Sequence, residues 1–397
     1  MGAVIEIMLC AGEESGDIHA AALVRAARAQ CLPWRFRGLG GDHLEDAGAS
    51  LDARLEDVAV MGLGGVLRKL PRILKVFRAL RETIRARRPA ALILIDSPDF
   101  NMRLAKYATR LGVPVIYYIC PQVWAWRAGR LKALERWTSR RALIFPFEKE
   151  FYAKRGVSAD LVGHPLLDEL AESGPFPDPP QIRASLGLAP DKPVVALLPG
   201  SRPGVFRRLA PIFLEAAGRV SASRPEIRFA IPRAKSLPAS ALAQELARIP
   251  PALREKITVL EGESRPLLKV AAAALLASGS AALEAAVLGA PAVVAYRAGF
   301  LSWSLAKRLV RLPFVSVPNL IFGRALMPEF LQEEARPASL AASLISLLEE
   351  PLRRETLAGL AEVRAYLGGP GASNAVLSLA QEEIAKGEAR AEGNLRG

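Results

Sequence analysis

At 397 residues the chain is too long for one ordinary core, which points to two domains or one large one. Apolar residues make up 51% and charged residues 23%, a balance that excludes a disordered chain. The net charge of +13 calls for anionic company, either phosphates, nucleic acid or an anionic membrane face. Three scattered cysteines, Cys10, Cys31 and Cys120, have no paired spacing and fit a reducing compartment.

The opening stretch MGAVIEIMLCAGEESGD has no basic leader and carries acids early. It reads as a first strand entering a loop, and not as a signal peptide. Strands are predicted at 4–10, 91–96, 114–119 and 142–146, with helical periodicity at 17–30 and 102–111. Short apolar runs separated by helices argue for a parallel sheet, and such sheets bind ligands beyond the carboxyl ends of their strands. Proline, glycine and polar residues crowd 171–193, which reads as a linker. A second strand series follows at 194–200, 228–232, 257–262, 272–278 and 292–296, and helices are expected at 205–220, 338–349 and 374–386. The predicted fold is α/β, with two successive parallel units and a cleft between them. Domains are expected at 1–175 and 190–365, and 366–397 as a helix returning to the first domain or to a partner, with a frayed tail. The stretch 270–296 has Glu284 as its one charge, but Ser278, Gly279, Ser280, Gly289 and Pro291 break it into strand, loop, helix and strand instead of a membrane span.

Candidate site residues sit where these strands end. AGEESGD places Glu13 and Ser15 between a strand and a helix, where backbone N–H groups are free. Ser15 or Asp17 capping the helix is the alternative, whereas Glu13 is expected before the turn. ALILIDSPDFN delivers Asp96 to the end of a buried strand, where a carboxylate is costly unless hydrogen-bonded or useful. Asp96 is the candidate general base; for Asp99, helix capping is the favoured reading. LLPGSR brings Ser201 and Arg202 to a helix start suited to a diphosphate, although the motif can also be a turn. SGSAALEAA repeats the design. If Ser280 is the N-cap, the capping-box position is Leu283, so Glu284 fits capping poorly; it could accept two ribose hydroxyls or be an ordinary paired glutamate. PNLIFGR is expected as a loop carrying Asn319 and Arg324. His19, His43 and His164 have no ligand spacing and no D-x-D triplet occurs, so no metal is expected.

The segment 61–88 carries nine Lys or Arg and one acid, Glu82. Val66, Leu67, Leu70, Ile73 and Leu74 lie between the cations, the pattern of an interfacial membrane helix. A helix packed on the sheet with a solvated basic face is the alternative, and it is stronger for 76–88. The aromatics are not interleaved with this run as nucleic-acid stacking platforms would be.

Taken together and in order, these motifs resemble the lipid-A-disaccharide synthase family. The resemblance runs through AGEESGD (11–17), VMGLGGVL (60–67), IDSPDFN (95–101), PQVWAWR (121–127), PFEKEFY (146–152) and VGHPL (162–166). It continues through LLPGSR (197–202), ASGSAALEA (277–285), VVAYR (293–297) and VSVPNLIFGRALMPEFLQEE (315–334). It implies a GT-B fold of two Rossmann-like domains and an inverting glycosyltransferase needing no metal and no cofactor. The implied donor is UDP-2,3-diacylglucosamine and the acceptor 2,3-diacylglucosamine 1-phosphate, giving the β-1,6-linked disaccharide 1-phosphate and UDP. It implies Asp96 as the essential carboxylate. Glu13, Arg202, Glu284 and Asn319 would lie around the substrates, and Val66, Leu67, Leu70, Ile73 and Leu74 would form a patch facing the cytoplasmic leaflet. No nucleic acid partner is implied; some members of the family form homodimers with exchanged C-terminal segments. Departures from the family pattern fall at Gly65, Cys120, Gln122, Val205 and Ser280. The rival expectations are another GT-B enzyme acting on UDP-GlcNAc, epimerase or peptidoglycan-type transferase, and a basic nucleic-acid-binding protein.

Overall fold

A computed structural model describes residues 4–58, 63–124, 129–299 and 313–395, with side chains described outside 63–69 and 390–395. The chain divides into two compact units, Met1–Ser173 with Gly369–Gly397, and Gly174–Gly368.

The first unit is built on seven strands, β1 (Ile5–Ala11), β2 (Trp34–Gly40), β3 (Ser50–Arg54), β4 (Ala91–Ile95), β5 (Val115–Tyr118), β6 (Arg140–Leu143) and β7 (Asp160–Leu161). All pair in parallel, in the order β3-β2-β1-β4-β5-β6-β7. The central strands β1, β4 and β5 are apolar on both faces because helices cover both sides. The helices are α1 (Glu14–Ala29), α2 (Asp42–Asp46), α3 (Leu63–Arg87), α4 (Pro98–Arg110), α5 (Arg130–Trp137), α6 (Pro146–Ala153) and α7 (Pro165–Glu172). Val76, Leu80 and Ile84 of α3 recur at four-residue spacing and enter the same core as Leu104 and Ala108 of α4 and Leu131 and Leu134 of α5. The C-terminal helix Ala372–Leu395 also packs on this unit. Buried Asp168 of α7 accepts from the N–H groups of Gly371, Ala372 (3.1 Å) and Ser373 (2.7 Å) at the start of that helix. Arg140 binds its Glu382 and Glu383 further along.

The second unit holds six parallel strands in the order β10-β9-β8-β11-β12-β13. They are β8 (Val194–Leu198), β9 (Arg228–Arg233), β10 (Ile257–Glu261), β11 (Ala273–Ala277), β12 (Ala292–Tyr296) and β13 (Glu329–Leu331). Helices α8 (Pro179–Ser185), α9 (Pro203–Ser223), α10 (Ala239–Ala247), α11 (Pro251–Arg254), α12 (Ser264–Val270) and α13 (Ser280–Leu288) lie between or before them. The expected linker is in part ordered, since α8 falls within 171–193 and its Ile182 is buried. Strands β2, β3, β7 and β13 are additions to the predicted set; β2 and β3 alternate with charged residues and β7 and β13 are very short, so none has an apolar run to mark it. The stretch 270–296 folds as strand, helix and strand. Among the described residues no helix is long and apolar enough to cross a membrane.

Candidate active site

Both sheets have the strand order in which successive crossovers leave one central pair and proceed in opposite directions. The loops beyond that pair diverge and leave a crevice, the place where such sheets bind ligands. In the first unit the pair is β1 and β4, and the sequence beyond it is Gly12-Glu13 on one side and Asp96-Ser97 on the other. In the second unit the pair is β8 and β11, followed by Gly200-Ser201-Arg202 and Ser278-Gly279-Ser280. Sequence-predicted residues therefore collect at the one point in each sheet where topology opens a crevice.

In the first unit the two loops touch. A Cβ on Gly12 would collide with Ser97 Oγ, so glycine is needed for this approach. Asp96 and Ser97 both have left-handed backbone, with φ of 49° and 46°. For non-glycine residues this costs of order 1–3 kcal/mol each and persists only where the surroundings impose it. Here they do: the Asp96 carbonyl accepts from Tyr117 Oη at 2.7 Å and Asn101 Nδ2 at 2.8 Å, and its N–H donates to the Tyr118 carbonyl at 3.1 Å. Asn101, fully buried, also reaches the carbonyls of Ile95 and Cys10 and so ties β1 to β4. Neither Asn101 nor Tyr117 was among the predicted residues. Asn101 closes the motif IDSPDFN, and an amide six residues after the strand end was the available signal.

Several local expectations are corrected. Glu13 is the N-cap position of α1 instead of lying before the turn, although its side chain makes no capping bond. Ser15 falls inside the first turn. Asp17 does not cap its own helix: its carboxylate accepts from Gly41 N at 2.6 Å and His43 N at 3.0 Å and so caps α2. Ser97, and neither Asp96 nor Asp99, is the N-cap residue of α4, and Asp99 in the first turn pairs with Arg130.

In the second unit Arg202 is the N-cap residue of α9, a helix of 21 residues, and Ser201 and Arg202 are exposed. Gly200 has φ of 104°, and a Cβ there would lie 2.7 Å from Val205 Cγ1 and 3.5 Å from Ala277 Cβ. Val205, where the family pattern has glutamate, thus packs beneath the turn. Gly279 takes the N-cap position of α13, and Ser280 is the first helical residue. Glu284, one turn in, is partly exposed and lies 3.7 Å from Arg265 Nε of α12.

Asn319 is not on a loop. It lies in the helix Val317–Phe322 and has no exposed surface. Its amide nitrogen donates to the Met327 carbonyl and to Glu329 Oε1, both at 2.7 Å, and its oxygen accepts from Met327 N at 2.9 Å. Asn319 thereby fastens 315–322 to β13. Glu329 completes the clasp by accepting from Val315 N, Ser316 N and Ser316 Oγ at 2.6–2.9 Å. Arg324 pairs with Glu362.

The loop after β5 carries the start of PQVWAWR. Trp124 Nε1 donates to Glu148 Oε1 at 3.0 Å, and Glu148 Oε2 accepts from Ile144 and Phe145 N–H groups at 3.2 and 3.1 Å. Burial pushes the Glu148 carboxyl up to about 7, against the pull of these donors. The folded chain therefore holds a proton that the unfolded chain releases near pH 4.5. Stability from this group is present below that pH and is lost as pH rises to about 7, on the order of 3 kcal/mol. Glu148→Gln removes the titration, so the stability difference between about pH 5 and pH 8, measured by urea unfolding, becomes smaller than in the parent; an unchanged difference refutes the assignment.

The fold brings together two histidines that are distant in sequence. His19 Nδ1 lies 3.2 Å from Glu169 Oε1. His164 accepts from Leu166 N as the N-cap of α7, and burial, aided by His19, pushes it down to about 4. Among the described residues no group of three or more His, Cys, Asp or Glu is placed to hold a metal ion. Of the apolar row on α3, Val66 and Leu67 lie outside the described side chains, Ile73 is half-buried, and Leu70 and Leu74 are 43% and 41% exposed.

With this geometry in place, comparison with known proteins is decisive about family. The family model described as lipid-A-disaccharide synthetase matches residues 7–381. The lipid-A-disaccharide synthase of Anaeromyxobacter dehalogenans (strain 2CP-C) is 41% identical over 369 residues, 92% of this chain and 94% of that protein. That of Geobacter metallireducens is 39% identical over 381 residues, covering 96% and 97%. Among solved structures, MurG of Acinetobacter baumannii aligns with a TM-score of 0.60 at 16% identity, covering 95% of this chain and 99% of that one. The UDP-GlcNAc 2-epimerase of Neisseria meningitidis bound to UDP-GlcNAc aligns at 0.67 and 13%, covering 95% and 100%. These structural likenesses establish the two-domain GT-B fold, and the sequence relatives go further: the chain belongs to the lipid-A-disaccharide synthase family of glycosyltransferases.

Proposed function

We propose that the chain joins UDP-2,3-diacylglucosamine to 2,3-diacylglucosamine 1-phosphate, giving the β-1,6-linked disaccharide 1-phosphate and UDP with inversion at the anomeric carbon. The observation that carries this reading is the collection of Glu13 and Asp96 at the switch point of one sheet and of Arg202, Ser280 and Glu284 at that of the other. UDP leaves well without protonation if its charge is stabilised. Ser201, Arg202 and the N-termini of α9 and α13 are the groups suited to this. Glu284 accepts the ribose hydroxyls, and Glu13 and Ser15 hold the sugar at the other crevice. Asp96 takes the proton of the attacking hydroxyl. Asn319 and Glu329 act as positioning residues for 315–322. The test is incubation with both acylated substrates and mass analysis of the product; rapid turnover of unacylated UDP-GlcNAc alone would instead favour an epimerase-type activity.

The acyl chains keep both substrates at a bilayer, so the enzyme works from the cytoplasmic face of the inner membrane as a peripheral protein. Leu70 and Leu74, exposed one turn apart on a basic helix, support this. Changing both to serine lowers partition onto vesicles by about tenfold or more, at roughly 1.5–3 kcal/mol per buried leucine; unchanged sedimentation with vesicles would place the contact elsewhere. In a homodimer with exchanged C-terminal segments, the Asp168 cap and the Arg140 ion pairs would form between copies instead of within one.

A further inference from the structure

A second charged feature of the first unit lies away from Asp96. Helix α4 starts beside Asp96 and ends at Arg110, about 20 Å further on for 13 residues. At that far end Lys106, Thr109 and Arg110 of α4 and Arg136 and Trp137 of α5 line a cavity of about 380 Å³. Lys106 Nζ stands 5.1 Å over the Trp137 ring, and Thr109 Oγ1 donates to the Trp137 carbonyl at 2.9 Å. The lining holds three cations and no carboxylate.

Among the described residues none of the three cations has an acid within ion-pair distance, whereas Arg130 at the start of α5 has Asp99 and Arg85 of α3 has Glu82. Cations at helix C-termini complement the helix dipole, which explains in part why Arg110 and Arg136 stand where they do. Each dipole end carries about half a charge, so α4 and α5 together offset about one of the three positive charges. An uncompensated positive charge around a concave site calls for an anion.

The surroundings identify its source. Helices α3, α4 and α5 cover one face of the first sheet and share one core. Along their outer surface Arg81 lies over the Tyr107 ring at 4.2 Å and over Phe77 at 5.9 Å, joining α3 to α4. Lys75, Arg78 and Arg103 are exposed there. Leu74 and Leu70, both exposed, lie two and three turns before Arg81 on α3. A half-buried indole beside cations is the arrangement that suits a membrane interface.

We propose that Lys106, Arg110 and Arg136, with Trp137, form a binding site for the phosphate of an anionic phospholipid headgroup, separate from the substrate crevice. The site rests on the peripheral-membrane reading above and adds a second, electrostatic anchor to it. The phosphate oxygens accept from the two guanidinium groups and the ammonium, and the indole sits at headgroup depth.

The test uses the full chain with vesicles of phosphatidylcholine alone or mixed with phosphatidylglycerol. The variant Lys106→Gln/Arg110→Gln/Arg136→Gln is expected to lose at least about tenfold in partition onto the anionic vesicles, at about fivefold per cation near such a surface. Its partition onto neutral vesicles and its activity on detergent-dispersed substrates stay at parent levels, which also shows that it folds. Retained partition onto anionic vesicles overturns the site. So does inorganic phosphate that quenches Trp137 fluorescence without lipid, measured against a Trp137→Phe control, since that marks a free-phosphate site. Single-stranded RNA that binds the parent and not the variant overturns it as well. Leu70→Ser/Leu74→Ser separates the two readings: it lowers partition onto both vesicle types if the peripheral reading holds, and a parent that sediments with neither vesicle ends both.

Discussion

Asp96→Asn lowers disaccharide formation by about 10²–10⁴-fold, the usual contribution of a positioned proton acceptor, and leaves UDP affinity unchanged. The asparagine keeps the size of the side chain and tolerates the left-handed backbone that this position imposes. The hydrogen bonds from Tyr117 and Asn101 go to the Asp96 carbonyl and not to its carboxylate, so they survive the substitution. What disappears is the capacity to take a proton. Turnover and UDP binding, measured on the same preparation, separate this from a folding defect. Near-parent turnover would remove Asp96 from the role of base. A parallel loss of UDP affinity would show that the change had spread beyond the first unit.

Glu284→Ala raises the Kd for UDP by about tenfold to a hundredfold, the range for losing a charge-assisted contact of 1.5–3 kcal/mol. The side chain lies 3.7 Å from Arg265, so truncation also strips that arginine of a neighbour. Glu284→Gln resolves the ambiguity. It abolishes the charge pair with Arg265 but keeps an oxygen for a ribose hydroxyl, so its UDP affinity falls less than that of the alanine variant. Titration calorimetry with UDP reads both. If glutamine and alanine leave affinity equally intact and lower only thermal stability, Glu284 is a structural partner of Arg265.

The motifs located the strand ends well because a parallel sheet covered on both faces has apolar strands bounded by turn residues. ALILI before Asp96 and VVALL before Gly200 carry that pattern without help from the rest of the chain. The outer strands β2 and β3 and the edge strand β7 lacked it. WRFRGLG and SLDAR alternate with charged residues, and Arg37 on β2 is held by Asp52 on β3, a pairing that only adjacency in the sheet creates. Local rules for helix starts failed in an instructive way. Asp17 resembled a cap for its own helix, yet its carboxylate turns to α2, 24 and 26 residues away, because Gly41 and His43 offer unpaired N–H groups there. Asn319 looked like a loop residue, but it lies in a helix and bonds Met327 and Glu329.

By itself the sequence determined the α/β class, the two series of strands, the family, and the carboxylates and cations at the ends of β1, β4, β8 and β11. Periodicity and turn chemistry are local, and a family's motifs are read in order along the chain. Only the tertiary structure decided that β1 neighbours β4 and β8 neighbours β11, which turns scattered loops into two crevices. It alone assigned Asn101, Tyr117 and Glu329, whose hydrogen-bond partners come from other turns and strands and therefore leave no periodic trace. It also divided α3 into a buried row, Val76, Leu80 and Ile84, and an exposed pair, Leu70 and Leu74. The amphipathic pattern is the same for a helix packed on a sheet and one lying on a membrane, and what covers each face settles the difference.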